Sequence, residues 1–484
     1  MPRRLVALSA AGLLCACAVG PDYVRPETAS PSGWTEPLTG GLTGAAADRA
    51  QLAQWWTTLG DPLLTELVSR AVSGNLGVQE AEARVREARA RRVIARAGFF
   101  PTLAAGATAS RSDSSDSRRT TGDDIGLGTG FDFGSAGATD LYSASLDASW
   151  EIDVFGGVRR GYEAAQADLA RSEEDLLDVL VSLAAEVALS YVDVRSFQAR
   201  LAIAQANLQA QAETAEIVGW RVQAGLATEL ELERARSNVA QTRAQIPSLL
   251  TSLEQSRNGL AVLLGEPPGA LAEQLAEPRP VPVTPREVAV GVPADTLAQR
   301  PDVRRAEADL EAQTARVGVA TARAYPSLTA LGSIGLEALT PGGLLDAGAS
   351  AWRLAGSTAW TVFDAGAIRG GIEADDALRE QALARFRSSV LDALAEVENA
   401  LVAYAQEQDR RQALADGSAA AERAVALAQD QYGAGLVDFE IVLDSQRSLY
   451  VFQEQLAVSD REVTSNLIRL YKALGGGWTP EARS

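Results

Sequence analysis

The second half of this chain echoes the first at a fixed distance, and that echo limits the possible folds more than any single motif does. Trp150 returns as Trp360, Gly225-Leu226 as Gly435-Leu436, and Leu264-Gly265 as Leu474-Gly475, each pair 210 positions apart. Further upstream the offset is 225, pairing Ala81-Glu82-Ala83 with Ala306-Glu307-Ala308 and Phe100-Pro101 with Tyr325-Pro326. The offset drops by fifteen (225 less 210) between Pro101 and Trp150, so the first copy carries extra residues in one loop. Two copies of one long unit indicate a chain whose architecture comes from repetition.

Composition removes most chemistry. The 484 residues include no histidine, and the only cysteines are Cys15 and Cys17. Histidine is the commonest general acid–base group and metal ligand, so Ser-His-Asp and Cys-His systems are excluded. Two cysteines at one end also exclude zinc–thiolate and iron–sulfur frameworks. A formal charge of −19 argues against nucleic acid, whose phosphates need a basic surface. No catalytic residue, cofactor or metal site is expected, and the chain is not expected to be an enzyme.

The amino terminus accounts for both cysteines. Arg3-Arg4 form a basic start, residues 5–14 an apolar stretch, and Leu14-Cys15-Ala16-Cys17 a small-residue cleavage site. Residues 1–16 therefore read as a secretory signal, too short to span a bilayer permanently. Its end resembles a bacterial lipobox, which implies that Cys17 is the lipidated first residue of the mature chain. Ala18, standing where Asp would retain a lipoprotein in the inner membrane, resembles an outer-membrane sorting signal.

Residues 17–60 are rich in Pro, Gly, Thr and Ala and read as an extended segment. The first structural repeat is expected over 61–265 and the second over 294–475, with a linker at 266–293 and a tail at 476–484. Asp61-Pro62 opens a helix, with Asp as its cap and Pro in the first turn. Leu232, Val239, Ile246, Leu253 and Leu260 stand seven apart, as do Val442, Leu449, Leu456, Val463 and Leu470. A strict seven-residue period imposes a left-handed supercoil on helices packed side by side. No proline interrupts 156–222 or 368–430, so each can form one very long helix.

Between the helices the period changes from seven to two. In residues 142–153 every even position is apolar or small and every odd one polar, the mark of a strand with one greasy and one wet face. Strands are expected at about 102–113 and 140–153, then at about 327–337 and 352–363. Leu328, Ala330, Ile334 and Leu336 share a face in the third, as Trp352, Leu354, Trp360 and Val362 do in the fourth. Residues 111–139 read as a Ser-, Gly- and Asp-rich loop. An exported chain without a long apolar helix crosses a membrane only as a closed barrel. Four strands cannot close one, so copies must associate, as a dimer with about eight strands or a trimer with about twelve; a small soluble sheet on a lipid-tethered protein is the other reading of these strands. Trp150 and Trp360 are expected at the membrane interface, where amphipathic rings are favoured, and are equally readable as ordinary hydrophobic anchors.

Six segments then carry a family resemblance: Cys17-Ala-Val-Gly-Pro-Asp-Tyr23; Trp55-Trp56 with Asp61-Pro62; Arg96-Ala-Gly-Phe-Phe-Pro-Thr102; Ser149-Trp-Glu-Ile-Asp-Val-Phe-Gly156; Arg300-Pro-Asp-Val-Arg304; and Leu470-Tyr-Lys-Ala-Leu-Gly-Gly-Gly-Trp478. In this order they resemble the TolC-like outer-membrane efflux lipoproteins over essentially the whole chain. The resemblance implies a mainly α protein with a transmembrane β-barrel, in which a two-fold internal repeat of long coiled helices and β-hairpins assembles into a trimeric α-barrel/β-barrel channel. It further implies a passive conduit in the outer membrane, lipid-anchored and extending into the periplasm. The implied partners are a periplasmic adaptor, an inner-membrane transporter of the RND type and outer-membrane lipid.

The resemblance also assigns sites. After the turn at Tyr432-Gly433-Ala434-Gly435, Asp444 maps onto a pore-ring aspartate, and Glu440 lies four residues earlier on the same helical face. Three copies of each would form carboxylate rings that favour cations. Gly225 and Leu226 in the first copy, with Tyr432, Gly435 and Leu436 in the second, occupy adaptor-contact or gating turns, and Glu231 in the first of them stands where relatives carry an acidic latch residue. Val437 replaces its usual arginine partner, so that salt bridge is not expected. Both Gly-Leu turns are equally readable as helix C-caps. By the 210 offset the counterparts of Asp444 and Glu440 are Arg234 and Leu230, so the acidic constriction belongs to the second copy alone. A protein-secretion conduit of type I is the alternative within this architecture, and a periplasmic coiled-coil structural lipoprotein is the alternative outside it.

Overall fold

In the computed structural model, which describes residues 18–27, 31–45, 48–113, 138–282, 285 and 287–477, the sequence repeat reappears in the bounds of the elements. After strand β1 (Leu42–Thr43) come helix α1 (Arg49–Ala53), a 3₁₀ turn at Trp55–Leu59 and helix α2 (Pro62–Gly74). Then follow α3 (Leu76–Ala97), β2 (Thr102–Ser112), β3 (Thr139–Glu151), α4 (Gly157–Gln223) and α5 (Glu229–Leu263). The second copy begins after β4 (Val288–Ala289) and α6 (Pro293–Gln299). It runs through α7 (Pro301–Ala322), β5 (Ser327–Ala338), β6 (Ser350–Ala359), α8 (Ala367–Gly433) and α9 (Phe439–Ala473). Helices α3 and α7 have 22 residues each, α4 and α8 have 67, and α5 and α9 have 35. A 67-residue helix is about 100 Å long.

The heptad stripe behaves alike in both copies. Leu232, Leu253 and Leu260 are buried while Val239 and Ile246 are half-buried; Val442, Val463 and Leu470 are buried while Leu449 and Leu456 are half-buried. Helix α5 continues through Pro247, which lies on its exposed side. The expected extended segment before residue 61 is not free of regular structure. It holds α1 and the 3₁₀ turn, and β1 pairs in parallel with β4 inside the expected linker.

The chain divides into two compact units, each drawn from both repeats. One comprises residues up to Val24, Ala88–Leu169 and Leu310–Ala382; the other comprises Arg25–Glu87, Ala170–Asp309 and residues from Leu383 onward. The second holds the main core, with Trp55, Leu64, Leu67, Tyr191, Val194, Leu260, Leu401, Leu467 and Leu470. Several of the recognisable motifs pack here. The rings of Trp55 and Tyr471 stack at 5.4 Å, and an added Cβ on Gly476 would lie 2.8 Å from the Leu52 carbonyl. Arg300 donates to the Ala473 carbonyl at 2.7 Å, capping the end of α9, and to Asp302 and Glu396 at 2.7 and 2.6 Å.

The first unit carries a four-stranded antiparallel sheet in the order β2-β3-β5-β6. Register places Ala105 opposite Leu146, Leu146 opposite Ile334, and Ile334 opposite Trp352. Leu103, Ala148, Gly332 and Leu354 form the next row on the same face. The opposite face carries Ser143, Asp147, Ser333 and Arg353, so the alternation read from the sequence is realised across all four strands. The greasy face is open: Leu103 is 77 % exposed, Trp352 79 % and Leu354 78 %. The outer edges of β2 and β6 have no partner strand in this sheet. Among the described residues the sheet therefore has an apolar face, which suits lipid and not water, and two unpaired backbone edges, which a membrane does not tolerate without closure.

Strand β6 ends at Ala359, four residues before the expected limit, because its partner β5 begins at Ser327. Trp360 thus lies just outside the sheet. Cys17 and the span 114–137 lie outside the described residues.

Candidate functional site

Each long helix ends in a turn of the same construction. Gly225 has φ +72°, its N–H donates to Val222 O at 2.9 Å, and the Leu226 N–H donates to Arg221 O at 2.8 Å. Gly435 has φ +73°, donating to Tyr432 O at 3.0 Å, and Leu436 donates to Gln431 O at 2.9 Å. These are paired six-to-one and five-to-two bonds around a left-handed residue, the helix C-cap that glycine accommodates without a Cβ penalty. Leu226 and Leu436 stand 69 % and 75 % exposed, so both turns present an apolar side chain outward.

A small core unites the two turns: Val218, Leu232, Ala235, Ala428, Phe439, Val442 and Leu443 are buried together. Above it the Arg221 guanidinium covers the Tyr432 ring at 4.4 Å, and Tyr432 packs on Phe439 with centroids 5.2 Å apart. Burial raises the Tyr432 phenol above its ordinary pKa, and Glu231 adds to the rise while Arg221 opposes it. Arg221 therefore fastens the first copy's helix end to the second copy's turn. The sequence signal was only an arginine in the last turn of a helix.

The two helix starts differ. Thr228 and Glu231 form a capping box: the Glu231 carboxylate accepts from Thr228 N–H at 2.7 Å, and the Thr228 hydroxyl accepts from Glu231 N–H at 3.3 Å. Glu231 is thereby committed to its own helix. At the second start the Asp438 side chain makes no cap bond. Glu440 reaches across instead to Arg234 at 3.3 Å, an exposed pair. Asp444 lies one turn further along α9 and is also exposed. Below it α9 is stitched to its neighbours by Arg447 donating to Asn238 at 3.1 Å, Gln446 donating to Thr214 at 2.9 Å, and a bond between Tyr450 and Gln245.

The two tryptophans also occupy equivalent places. Trp150 Nε1 donates to Phe99 O at 3.1 Å and Trp360 Nε1 donates to Ala324 O at 3.1 Å. Each indole closes the turn that leads from a helix into a strand. Both rings stay open to solvent, at 40 % and 59 % exposure. Among the described residues no helix is long and apolar enough to cross a membrane, and no carboxylate cluster could hold a metal.

The signature of the outer membrane efflux protein family matches residues 67–266 and 292–476. Pyoverdine export outer membrane protein OpmQ of Pseudomonas putida is 35 % identical over 500 residues, covering 100 % of this chain and 99 % of that protein. Nodulation protein T of Rhizobium leguminosarum bv. trifolii is 33 % identical, covering 98 % of this chain and 97 % of that protein. Among solved structures, the outer-membrane channel OprN superimposes with a TM-score of 0.88 at 32 % identity, covering 96 % of this chain and 100 % of that one. The open state of the MtrE outer membrane channel of Neisseria gonorrhoeae gives 0.79 at 26 % identity, covering 97 % and 100 %. The fold is that of these α-barrel/β-barrel channels, and the role is passage through the outer membrane, not catalysis. Matched by the family signature over both repeats, and by these relatives over nearly its whole length, the chain belongs to the outer membrane efflux protein family.

Proposed function

We propose that three copies of this chain form the outer-membrane conduit of a tripartite pump, joined by a periplasmic adaptor to an inner-membrane RND-type transporter, and that the cargo is small organic molecules. The observation that carries this reading is the sheet: four amphipathic strands, with a greasy face exposed and both edges open, need further copies to close. Three copies bring twelve strands. Relatives named for the export of pyoverdine and toluene support a small organic cargo.

Within that conduit, Asp444 supplies a carboxylate ring at the periplasmic constriction. Glu440 acts beside it through its pair with Arg234, which helps hold the closed form in place of a bond from Glu231. Gly225, Leu226, Tyr432, Gly435 and Leu436 form the turns that meet the adaptor, and the outward Leu226 and Leu436 side chains supply apolar contact. Cys17 carries the lipid, and Trp150 and Trp360 mark the membrane interface. The test is a heat-resistant trimer on denaturing gels, together with discrete conductance in planar bilayers. A monomer without conductance overturns the reading. Separately, Cys17→Ser abolishes palmitate incorporation while trimer formation persists; palmitate retained on that variant removes the lipid assignment.

A further inference from the structure

The first described residues are held in a close-fitting notch rather than trailing from the protein. The Val19 N–H donates to Phe155 O at 3.1 Å. Gly20 has φ +90°, and a Cβ built on it would lie 2.5 Å from the Gly318 Cα. Gly156 has φ +81°, and a Cβ there would lie 2.8 Å from the Ala18 Cα. Backbone thus meets backbone at two places where only glycine fits. Arg160 closes the notch. Its side chain is 7 % exposed, and it donates from Nε to Val19 O at 3.3 Å, from Nη2 to Asp22 at 2.6 Å and from Nη1 to Glu163 at 2.8 Å. A Cβ on Gly318 would strike the Arg160 Cγ at 2.8 Å, so the third glycine clears a path for the arginine stem. A nearly buried guanidinium needs partners. Here one of those partners, Asp22, belongs to the leading segment.

The notch lies close in sequence to the rim of the sheet. Phe155 and Gly156 follow β3, which ends at Glu151, and Trp150 closes the turn at that same strand end. Ala18, seated on Gly156, is the residue next in sequence to the acylation site, so the notch fixes the chain one residue short of it. A free seven-residue tether would instead let its end wander by about 15 Å.

We propose that Arg160 and the Gly20–Gly156–Gly318 notch form a clasp that positions an acylated amino terminus, with Arg160 as the positioning residue. The clasp holds Cys17 at the rim where the strands end, so the acyl chains enter the lipid beside the Trp150 and Trp360 belt. This rests on the lipidation of Cys17 proposed above. The partner is a lipid surface, and the clasp converts a loose tether into a fixed point of entry.

The test uses the full lipidated chain purified from membranes, carrying Arg25→Ala throughout to remove the separate ion pair of Arg25 with Glu307 at 2.8 Å, with a nitroxide at Val24→Cys, a position 79 % exposed just beyond Asp22. Cleavage removes Cys15 and thioether acylation occupies Cys17, so the parent chain takes up no label. Label on the parent means that the lipidation reading has failed, whatever the state of the clasp. With the clasp intact the Val24 label gives an immobilised line shape. Arg160→Ala and Gly20→Ala shift it to fast motion, while palmitate incorporation and trimer yield stay at the parent level. Gly20→Ala leaves every helix side chain in place, so it reports on the clasp even if Arg160→Ala folds poorly. Arg159→Ala, whose guanidinium donates to Glu163 at 3.2 Å, leaves the line shape unchanged. Parent-like immobilisation in Gly20→Ala and Arg160→Ala overturns the proposal.

Discussion

At the first Gly–Leu turn the following helix is fastened by its own side chains, with Thr228 and Glu231 each satisfying a backbone N–H of the other. At the second, Asp438 makes no such bond; the buried ring of Phe439 packs on Tyr432, and Glu440 reaches across to Arg234. The turns before them are alike in torsion and hydrogen bonding. Duplication has therefore kept the backbone and exchanged the local fastening. A polar cap uses its carboxylate up, whereas an aromatic fastening leaves the carboxylates on the next turn of α9 exposed. The second copy can thus carry an acidic face without loosening its turn, and the first cannot present Glu231 in the same way.

The largest expected effect tests the free carboxylate of the second copy. Asp444→Ala should raise single-channel conductance and weaken block by multivalent cations about tenfold to a hundredfold. Three carboxylates at contact distance each contribute about 1 kcal/mol even in water, less screening. Glu231→Ala, the acidic change in the first copy, should leave that block unchanged. Equal effects from both substitutions would erase the distinction between the turns.

The shared backbone is tested next. Gly225→Ala and Gly435→Ala each force a Cβ into the left-handed region, at a cost of about 1–2 kcal/mol. Nothing lies within 4 Å of either added Cβ, so the costs should match and reflect strain alone. Hydrogen exchange of the four amides around each turn measures both, and a clear inequality would mean that one turn has a different conformation in the assembled channel. The different fastenings come third. Thr228→Ala should open the start of α5 by about 1 kcal/mol through loss of its cap. Asp438→Ala should cost under about 0.5 kcal/mol, because only the helix-dipole contribution is lost.

Much of this was legible in the sequence, for identifiable reasons. Glycine, proline and the Gly–Leu pairs punctuate the chain at fixed offsets, so helix bounds repeat to the residue. Period-two alternation fixed the greasy face because register preserves parity across paired strands. The end of β6 was not legible: Trp360 keeps the period, yet strand pairing stops where β5 begins, a fact about the partner and not about the segment itself. The role of Glu231 was open to reading, since Thr228-Glu-Leu-Glu231 is a capping-box pattern, but the family resemblance drew attention to a latch instead. Arg221 and Arg234 were hidden because their partners lie on elements about 200 residues away, and periodicity carries no information about such contacts.

The smallest expected effect concerns the contact that joins the two copies, Arg234 with Glu440. Both side chains are largely exposed, at 46 % and 73 %, so the pair should contribute about 0.2–1 kcal/mol per protomer and be screened by salt. Translated into gating, breaking it should shift the ratio of open to closed channel by at most about fivefold per protomer. Arg234→Ala and Glu440→Gln should each raise open probability in planar bilayers at low ionic strength, and the double variant should do no more than either alone. Exchanging the charges, with Arg234→Glu and Glu440→Arg together, should return the closed form. If the single substitutions act additively, the pair is two solvated side chains that happen to meet, and the Arg221–Tyr432–Phe439 stack is the next candidate for holding the closed form. Arg221→Ala distinguishes the two cases, because it removes that stack's cation while leaving the ion pair in place.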